Sequence, residues 1–250
     1  MPERAPQQFS ESMPVLTMHG PDGSGKTTIG ERVGKLLNDH HGDTLVIGSS
    51  GFLEWLDQTT YERFIGTSDN LEAGTRSNAT PEEKTRLYED IPICLFGVAA
   101  EHAASRGPVV IHSDPYIKRL IWARLAMADD EFAEYANKFD GYVTSRIGDI
   151  YASHVALLEV TADESYDRIE ERGKVSEYDP DNADENLRLV DAVDYISEFA
   201  FGETPAYSRL FDVRQLRVEN PHVELESRSV QIEVVASKIT GFVCSSETAS

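Results

Sequence analysis

The sequence predicts a three-layer, doubly wound α/β fold with a parallel sheet of about five strands. Three observations support this prediction. Short apolar, β-prone segments alternate with longer segments of helical period, an order typical of parallel sheets with right-handed crossovers. A glycine-rich segment joins the first strand directly to the first helix, and no internal repeat is visible. We expect a single domain over residues 14–243, with mobile ends at residues 1–13 and 244–250.

The strands are predicted from short apolar runs. Val15–His19 is apolar and β-prone, as expected of a buried parallel strand. The same pattern recurs at Thr44–Gly48, Val109–Ser113 and His154–Thr161, and Val223–Glu226 alternates like a final strand.

The first helices are predicted from apolar spacing and from capping signals. Apolar residues at the spacing of one helix face follow the glycine-rich segment, namely Ile29, Val33, Leu36 and Leu37. Thr80–Glu83 and Thr161–Glu164 are capping boxes that open two further helices. The first of these helices should end near Gly107 and be kinked or split by Pro92. The second should end with Gly173.

The C-terminal third is predicted as a loop followed by helices. The polar segment Lys174–Asn186 is predicted as a flexible loop, with a helix from about Glu185 to Ala200. Val230–Phe242 has a helical period.

Composition excludes several classes of partner. The 250 residues include 44 acidic and 23 basic side chains, a formal net charge of −21, which would repel nucleic acids and anionic lipid surfaces. The longest apolar run, Ile93–Ala100, is too short to span a membrane, and the N-terminus lacks a signal-peptide core. We therefore expect a cytoplasmic protein that binds neither nucleic acid nor membrane. Its two cysteines are predicted as a buried Cys94 and a free Cys244 in the tail.

The glycine-rich segment carries the most specific motif. Gly20–Thr27 matches G-x-x-x-x-G-K-[ST], the phosphate-binding P-loop. Gly23 and Gly25 allow backbone N–H groups to converge on a phosphate, Lys26 bridges the β- and γ-phosphates, and the Thr27 hydroxyl binds Mg²⁺. ATP and Mg²⁺ are the expected cofactors. The predicted nucleotide-binding residues are Gly20, Asp22, Gly23, Ser24, Gly25, Lys26, Thr27 and Thr28.

Three segments resemble thymidylate kinases and their relatives. They are "GPDGSGKTT" (residues 20–28), "VVIHSDPYI" (109–117) and "LLEVTADESYDRIEERGK" (157–174). Element order agrees from Val15 to about Ala200, although only the P-loop is highly specific. The resemblance implies a nucleotide-kinase type of P-loop fold, a lid near residues 172–186 and a possible homodimer.

The resemblance also implies residue roles. Asp22 would face the acceptor, and Asp114 would lie beside Mg²⁺ or the acceptor. Arg168 and Arg172 would act near the lid, although they could instead pair with neighbouring carboxylates as an ordinary solvated helix face. The predicted catalytic residues are Lys26, Asp114, Arg168 and Arg172, and the predicted metal ligands are Thr27 and Asp114.

The sequence departs from the family where an acceptor phosphate would bind. Asp114–Tyr116 reads Asp-Pro-Tyr where the family has Asp-Arg-Tyr, and neither Leu95–Ala103 nor Gly48–Leu56 carries the family's expected arginine. Either another arginine holds the acceptor phosphate, or the acceptor carries none. The candidate replacements are Arg63, Arg76, Arg86 and Arg119.

These observations predict an ATP-dependent kinase of a small acceptor. A deoxynucleoside monophosphate is the leading acceptor, and a hydroxyl-bearing nucleoside or specialised metabolite, with Asp22 or Asp114 as base, is the alternative. A nucleotide-hydrolysing switch and a nucleotide binder without turnover remain open. Aromatic residues that would stack on an acceptor ring are Phe52, Trp55, Tyr61, Phe64 and Tyr88. Histidines are assigned structural positions: His40 and His41 at a helix C-terminus, and His112 as a hydrogen-bonded core residue.

Overall fold

The chain folds around a five-stranded sheet in which every pairing is parallel, in the order β2-β3-β1-β4-β5. The computed structural model describes residues 13–48, 52–62, 81–147, 152–173, 180, 182–201, 213–221 and 225–245. This sheet confirms the predicted doubly wound α/β class. The predicted mobile ends lie almost wholly outside the described residues.

The first four strands confirm the sequence prediction, with three of them shorter than expected. The strands are β1 (Val15–His19), β2 (Leu45–Ile47), β3 (Val109–Ile111), β4 (His154–Glu159) and β5 (Arg214–Glu219). The predicted strand at Val223–Glu226 is wrong, because a helix begins at Leu225. The fifth strand lies earlier, at the sheet edge, where only Val218 among its six residues is buried.

Residues 58–62 are helical, and seven further α-helices and one 3₁₀ helix have defined bounds. They are α1 (Lys26–His41), the 3₁₀ helix (Phe52–Trp55), α2 (Pro81–Ser105), α3 (Pro115–Ala126), α4 (Asp129–Ile147), α5 (Ala162–Arg172), α6 (Ala183–Phe201) and α7 (Leu225–Cys244). None of these helices, within the described residues, is both long and apolar enough to cross a membrane.

Capping chemistry explains where α5 begins and ends. Both reciprocal bonds of the predicted capping box form, because the Thr161 hydroxyl accepts the Glu164 N–H and the Glu164 carboxylate accepts the Thr161 N–H. Gly173 follows the last residue of α5, as predicted. Thr80, the first residue of the other predicted capping box, lies outside the described residues.

Two helix predictions are corrected. Pro92 does not split its helix, since α2 runs without interruption from Pro81 to Ser105, and the alternative of a kink at Pro92 stays a prediction. The predicted loop Lys174–Asn186 is too long, because α6 already begins at Ala183. Asn186 is fully buried in that helix, where its side chain bonds to α5.

Helices cover both faces of the sheet. Alternate residues of β1 and β4 point to opposite faces, as the pleat requires. Leu16 and Leu158 belong to a core with α1 and α7, whereas Val15 and Leu157 belong to a larger core with α2, α3, α4 and α6. The sheet therefore has a helical layer on each side.

Helix α1 lies unusually close to the sheet. A Cβ added to Gly30 would lie 2.4 Å from Cδ2 of His112, and one added to Gly34 would lie 2.3 Å from a methyl carbon of Val46. The two glycines are one helical turn apart, so the backbone of α1 contacts residues of β2 and of the segment after β3 directly.

The two cysteines differ from the prediction. Cys94 is partly exposed rather than buried, and its thiol donates to the Asp57 carboxylate at 2.9 Å. Cys244 is the last residue of α7 rather than part of a tail, with Sγ 3.5 Å from Nε2 of His41. Neither cysteine forms a disulfide bond with the other.

Candidate active site

The P-loop connects β1 to α1 at the carboxyl end of the sheet. Gly25 caps α1 in the left-handed conformation, and no side chain caps this end of the helix. The first helical hydrogen bond runs from Ile29 N–H to Gly25 carbonyl oxygen, at 2.9 Å. Within the described part of the chain, the N–H groups of residues 26–28 therefore have no acceptor. Such an uncapped N-terminus is suited to binding a phosphate.

Lys26 lies inside the loop. Its Nζ donates to the carbonyl oxygens of Gly20 and Pro21, both at 2.7 Å, and lies 3.7 Å from the Asp22 carboxylate. Burial lowers the pKa of Lys26 to about 8, against the opposing effect of Asp22, and the positive charges of Lys118 and Arg172 lower it further. The acidic protein thus concentrates positive charge at this loop.

The hydroxyl residues of the motif differ in exposure. Ser24 is fully buried, whereas Thr27 and Thr28 are exposed on the first turn of α1. The Thr27 hydroxyl is therefore accessible to a metal ion held by a nucleotide.

Asp114 is the N-cap of α3. Its Oδ1 accepts the N–H groups of Tyr116 and Ile117, both at 3.0 Å, and the residue is 2% exposed. These contacts give Asp114 a structural function at the carboxyl end of β3, and its predicted function beside Mg²⁺ stays a prediction.

The oxygen donors fit a magnesium ion. Mg²⁺ is commonly held by one or two protein oxygens together with substrate phosphates, and Thr27 and Asp114 offer a hydroxyl and a carboxylate of this kind. Among the described residues, no group of three or more histidine, cysteine or carboxylate side chains could hold a metal by itself.

The two predicted arginines of α5 lie in different environments. Arg168 donates to the carbonyl oxygens of Gly23, at 3.1 Å, and Asn220, at 2.5 Å, and burial lowers its pKa. It is therefore bonded to the P-loop rather than being an ordinary solvated surface residue. Arg172 is exposed at the end of α5, and its charge acts on Lys26.

Three polar residues of the site were missed by sequence reasoning. Ser165 Oγ donates to the Asp22 carbonyl oxygen at 2.6 Å, and Asn220 Nδ2 donates to the Ser24 carbonyl oxygen at 2.8 Å. Asn186 lies 3.2 Å from Ser165 Oγ through its Oδ1, and its Nδ2 donates to the Ala162 carbonyl oxygen. No motif marks these residues, and Asn220 follows the strand that the sequence did not reveal.

The acceptor side is described only in part. Arg119 donates from Nε to the Tyr135 hydroxyl at 2.7 Å, and its guanidinium lies 5.1 Å from the centre of that ring. Trp55 is half-buried against the core, and Tyr61 is 39% exposed. The other candidates, Arg63, Arg76 and Phe64, together with the side chains of Phe52, Arg86 and Tyr88, lie outside what the structure describes.

The histidine predictions are confirmed in part. His40 and His41 end α1 as predicted. His112 is 2% exposed, as predicted for a core residue, and its backbone N–H donates to the Ile47 carbonyl oxygen at 3.0 Å. Neither ring nitrogen has a hydrogen-bond partner among the described residues, so a hydrogen bond of the ring stays a prediction. Burial lowers the pKa of His112, which favours the neutral ring.

The parallel sheet and the loop at its carboxyl edge define a P-loop α/β protein. No protein-family profile matches the sequence, and no curated protein does. Solved structures of a deoxyadenosine kinase from M. mycoides are similar to this chain. One, with bound dCTP, has 13% identity over 91% of this chain and 99% of that one, with a TM-score of 0.47. Another, with the products dCMP and a flexible dCDP, has 14% identity over 91% and 98%, also with a TM-score of 0.47.

Proposed function

We propose that this protein is a P-loop kinase that transfers the γ-phosphoryl group of Mg-ATP to a small acceptor. The observation that carries the proposal is the environment of Lys26. A lysine whose side chain is only 14% exposed lies between two loop carbonyl oxygens, beside a helix N-terminus whose first N–H groups lack a described acceptor. This arrangement complements the negative charge of a polyphosphate.

Each residue has a physical function in this reaction. Lys26 moves from the loop carbonyls to the β- and γ-phosphates and stabilises the charge on the transferred group. Thr27 and Asp114 would hold Mg²⁺, which supplies charge neutralisation between the phosphates when bound. Arg172, exposed at the end of α5, adds a positive charge near enough to Lys26 to lower its pKa.

The leading acceptor is a deoxynucleoside monophosphate such as dTMP. Support comes from the three segments that resemble thymidylate kinases, which include both the P-loop and the segment from β3 to Asp114. A monophosphate needs a cationic partner, and one of the four candidate arginines has to supply it.

A hydroxyl acceptor is the second candidate, and the contacts of Arg119 favour it. Arg119 already bonds to Tyr135, so binding an acceptor phosphate would compete with that contact. Asp22 is the better placed base for a hydroxyl acceptor, because its carboxylate is 36% exposed, whereas Asp114 caps α3.

The test is ADP release from Mg-ATP across nucleoside monophosphates, free nucleosides and no acceptor. Stimulation by dTMP or another monophosphate supports the leading acceptor, and stimulation by unphosphorylated compounds alone supports the second. ADP release that no acceptor stimulates indicates a hydrolytic switch. ATP binding without ADP release indicates a binder without turnover, and either outcome overturns the kinase proposal.

Lys26→Ala should lower turnover by roughly 100-fold or more, because a cation that stabilises the transferred charge is lost. Lys35→Ala is the matched control, since Lys35 is an exposed lysine on the same helix. Circular dichroism should show that both variants keep the fold. A Lys26→Ala rate equal to that of Lys35→Ala would refute the proposed site.

A further inference from the structure

Side chains hold the carbonyl oxygens of the first five residues of the P-loop. Those of residues 20 and 21 accept from Lys26, which belongs to the loop itself. Those of residues 22–24 accept from side chains outside the loop: in order, Ser165 Oγ at 2.6 Å, Arg168 Nη1 at 3.1 Å and Asn220 Nδ2 at 2.8 Å. Five successive carbonyl groups are thereby held in place.

The orientation of a carbonyl group also sets the orientation of the next N–H group. In a trans peptide the C=O of one residue and the N–H of the next point in opposite directions. Holding the carbonyls of Asp22 and Ser24 therefore turns the N–H groups of Gly23 and Gly25 the other way. Neither N–H group has an acceptor in the described part of the chain.

We propose that Ser165 and Asn220 are positioning residues for the nucleotide phosphates. They act through the backbone, by keeping the carbonyl oxygens of residues 22 and 24 turned away from the phosphate so that N–H groups face it. The inference rests on the proposed function, because it assumes that a polyphosphate binds this loop. Arg168 contributes a third anchor at residue 23.

Both residues are rigidly held. Asn220 is 6% exposed, its N–H donates to the Glu159 carbonyl oxygen at 2.9 Å, and its own carbonyl oxygen accepts from Arg168. Ser165 is fully buried, within 3.2 Å of the Asn186 side chain. Because these side chains are fixed by other elements, they can hold the loop without a ligand, as a preorganised site requires.

The test uses Ser165→Ala and Asn220→Ala, with Asn220→Ser as a second variant should Asn220→Ala fail to fold. Isothermal titration calorimetry measures the dissociation constants of tripolyphosphate and of ATP, and a thermal melt without ligand measures stability. Tripolyphosphate has no base or sugar, so its affinity reports on the loop alone.

Two controls separate positioning from general stability. Ser197→Ala removes another buried serine hydroxyl, which bonds to the Val193 carbonyl oxygen within α6. Asn38→Ala removes an asparagine that bonds to Thr44 near the far end of α1. Both controls should bind tripolyphosphate as the unaltered protein does.

We expect Ser165→Ala and Asn220→Ala each to weaken tripolyphosphate binding by about 2- to 10-fold, the range expected for loss of one hydrogen bond. The ATP dissociation constant should rise by a similar factor. Affinities equal to those of the controls would overturn the inference while leaving the proposed function intact. An unaltered protein that binds neither tripolyphosphate nor ATP would overturn both.

Discussion

Replacing Gly23 by alanine tests the geometry of the P-loop directly. Gly23 has a φ of +78°, and a Cβ added there would lie 2.5 Å from the carbonyl oxygen of Ser165 and 3.3 Å from its Cα. The left-handed conformation costs a residue with a side chain about 1–2 kcal/mol. Relieving a contact with the backbone of α5 costs about 1–3 kcal/mol more, by analogy with overpacked cores. Together they lower the free energy of unfolding by about 2–5 kcal/mol.

The assay is urea unfolding followed by circular dichroism, with Gly97→Ala as the matched control. Gly97 lies within α2, and a Cβ there would meet nothing within 4 Å. Alanine at that helical position should raise the free energy of unfolding by about 0.5–1 kcal/mol. The two substitutions, chemically identical, should therefore shift the unfolding midpoint in opposite directions.

Gly23→Ala should also weaken ATP binding, because the loop has to move away from Ser165 to admit the new methyl group. An unfolding midpoint for Gly23→Ala at or above that of the unaltered protein would refute this reasoning. That result would mean that a methyl group on Gly23 does not clash with the carbonyl oxygen of Ser165, which lies 2.5 Å from the added Cβ.

Two further predictions concern stability. Thr161→Ala breaks the capping box of α5 and should lower the free energy of unfolding by about 1 kcal/mol. Thr44→Ala is the control, because Thr44 is a half-buried threonine that caps no helix N-terminus and whose hydroxyl makes only a long bond, 3.4 Å, to the Gly42 carbonyl oxygen. Equal midpoints would contradict the capping argument. Burial, and then the positive charge of Arg214, lowers the pKa of His154 from 6.5 to about 4. As the pH falls from about 6.5 to about 4, this histidine is therefore protonated in the unfolded chain but not in the folded protein, and the free energy of unfolding decreases. His154→Gln should reduce this loss, by up to about 1.4 kcal/mol per pKa unit, in urea titrations at successive pH values; an unchanged pH dependence would show that other groups cause it.

The sequence predicted β1, β3 and β4 because those strands are buried, and it predicted β2, an edge strand in which only Ile47 is buried, because all three of its residues are apolar. Residues of β1, β3 and β4 lie almost entirely in the core, so their segments are nearly continuous apolar runs. Strand β5 lies at the edge and reads RQLRVE, with arginine and glutamate on exposed positions. The hydrophobic pattern of such a strand is weak, and what defines β5 is its parallel pairing with β4.

The site was predicted as far as local sequence determines it. The spacing of the P-loop motif is local, so the positions of Lys26 and Thr27 followed from it. The anchors of the loop depend on chain segments far away: Asn220 bonds to a residue 196 positions earlier, and Ser165 to one 143 positions earlier. Arg168 was predicted near a lid from family resemblance, but its described bonds go to backbone carbonyls, which a sequence motif cannot show.

The close contact of α1 with the sheet has a mechanical consequence. The His112 ring occupies the space that a side chain at position 30 would fill, and a Val46 methyl group occupies the space of a side chain at position 34. If α1 shifted along its axis by one residue's rise, about 1.5 Å, its atoms would clash with the His112 ring and with the Val46 methyl group. The P-loop end of α1 is thereby held in register with β2 and β3, and Asp114 caps α3, the helix that follows β3. The spacing between the P-loop and Asp114 thus depends on having glycine, which has no side chain, at positions 30 and 34.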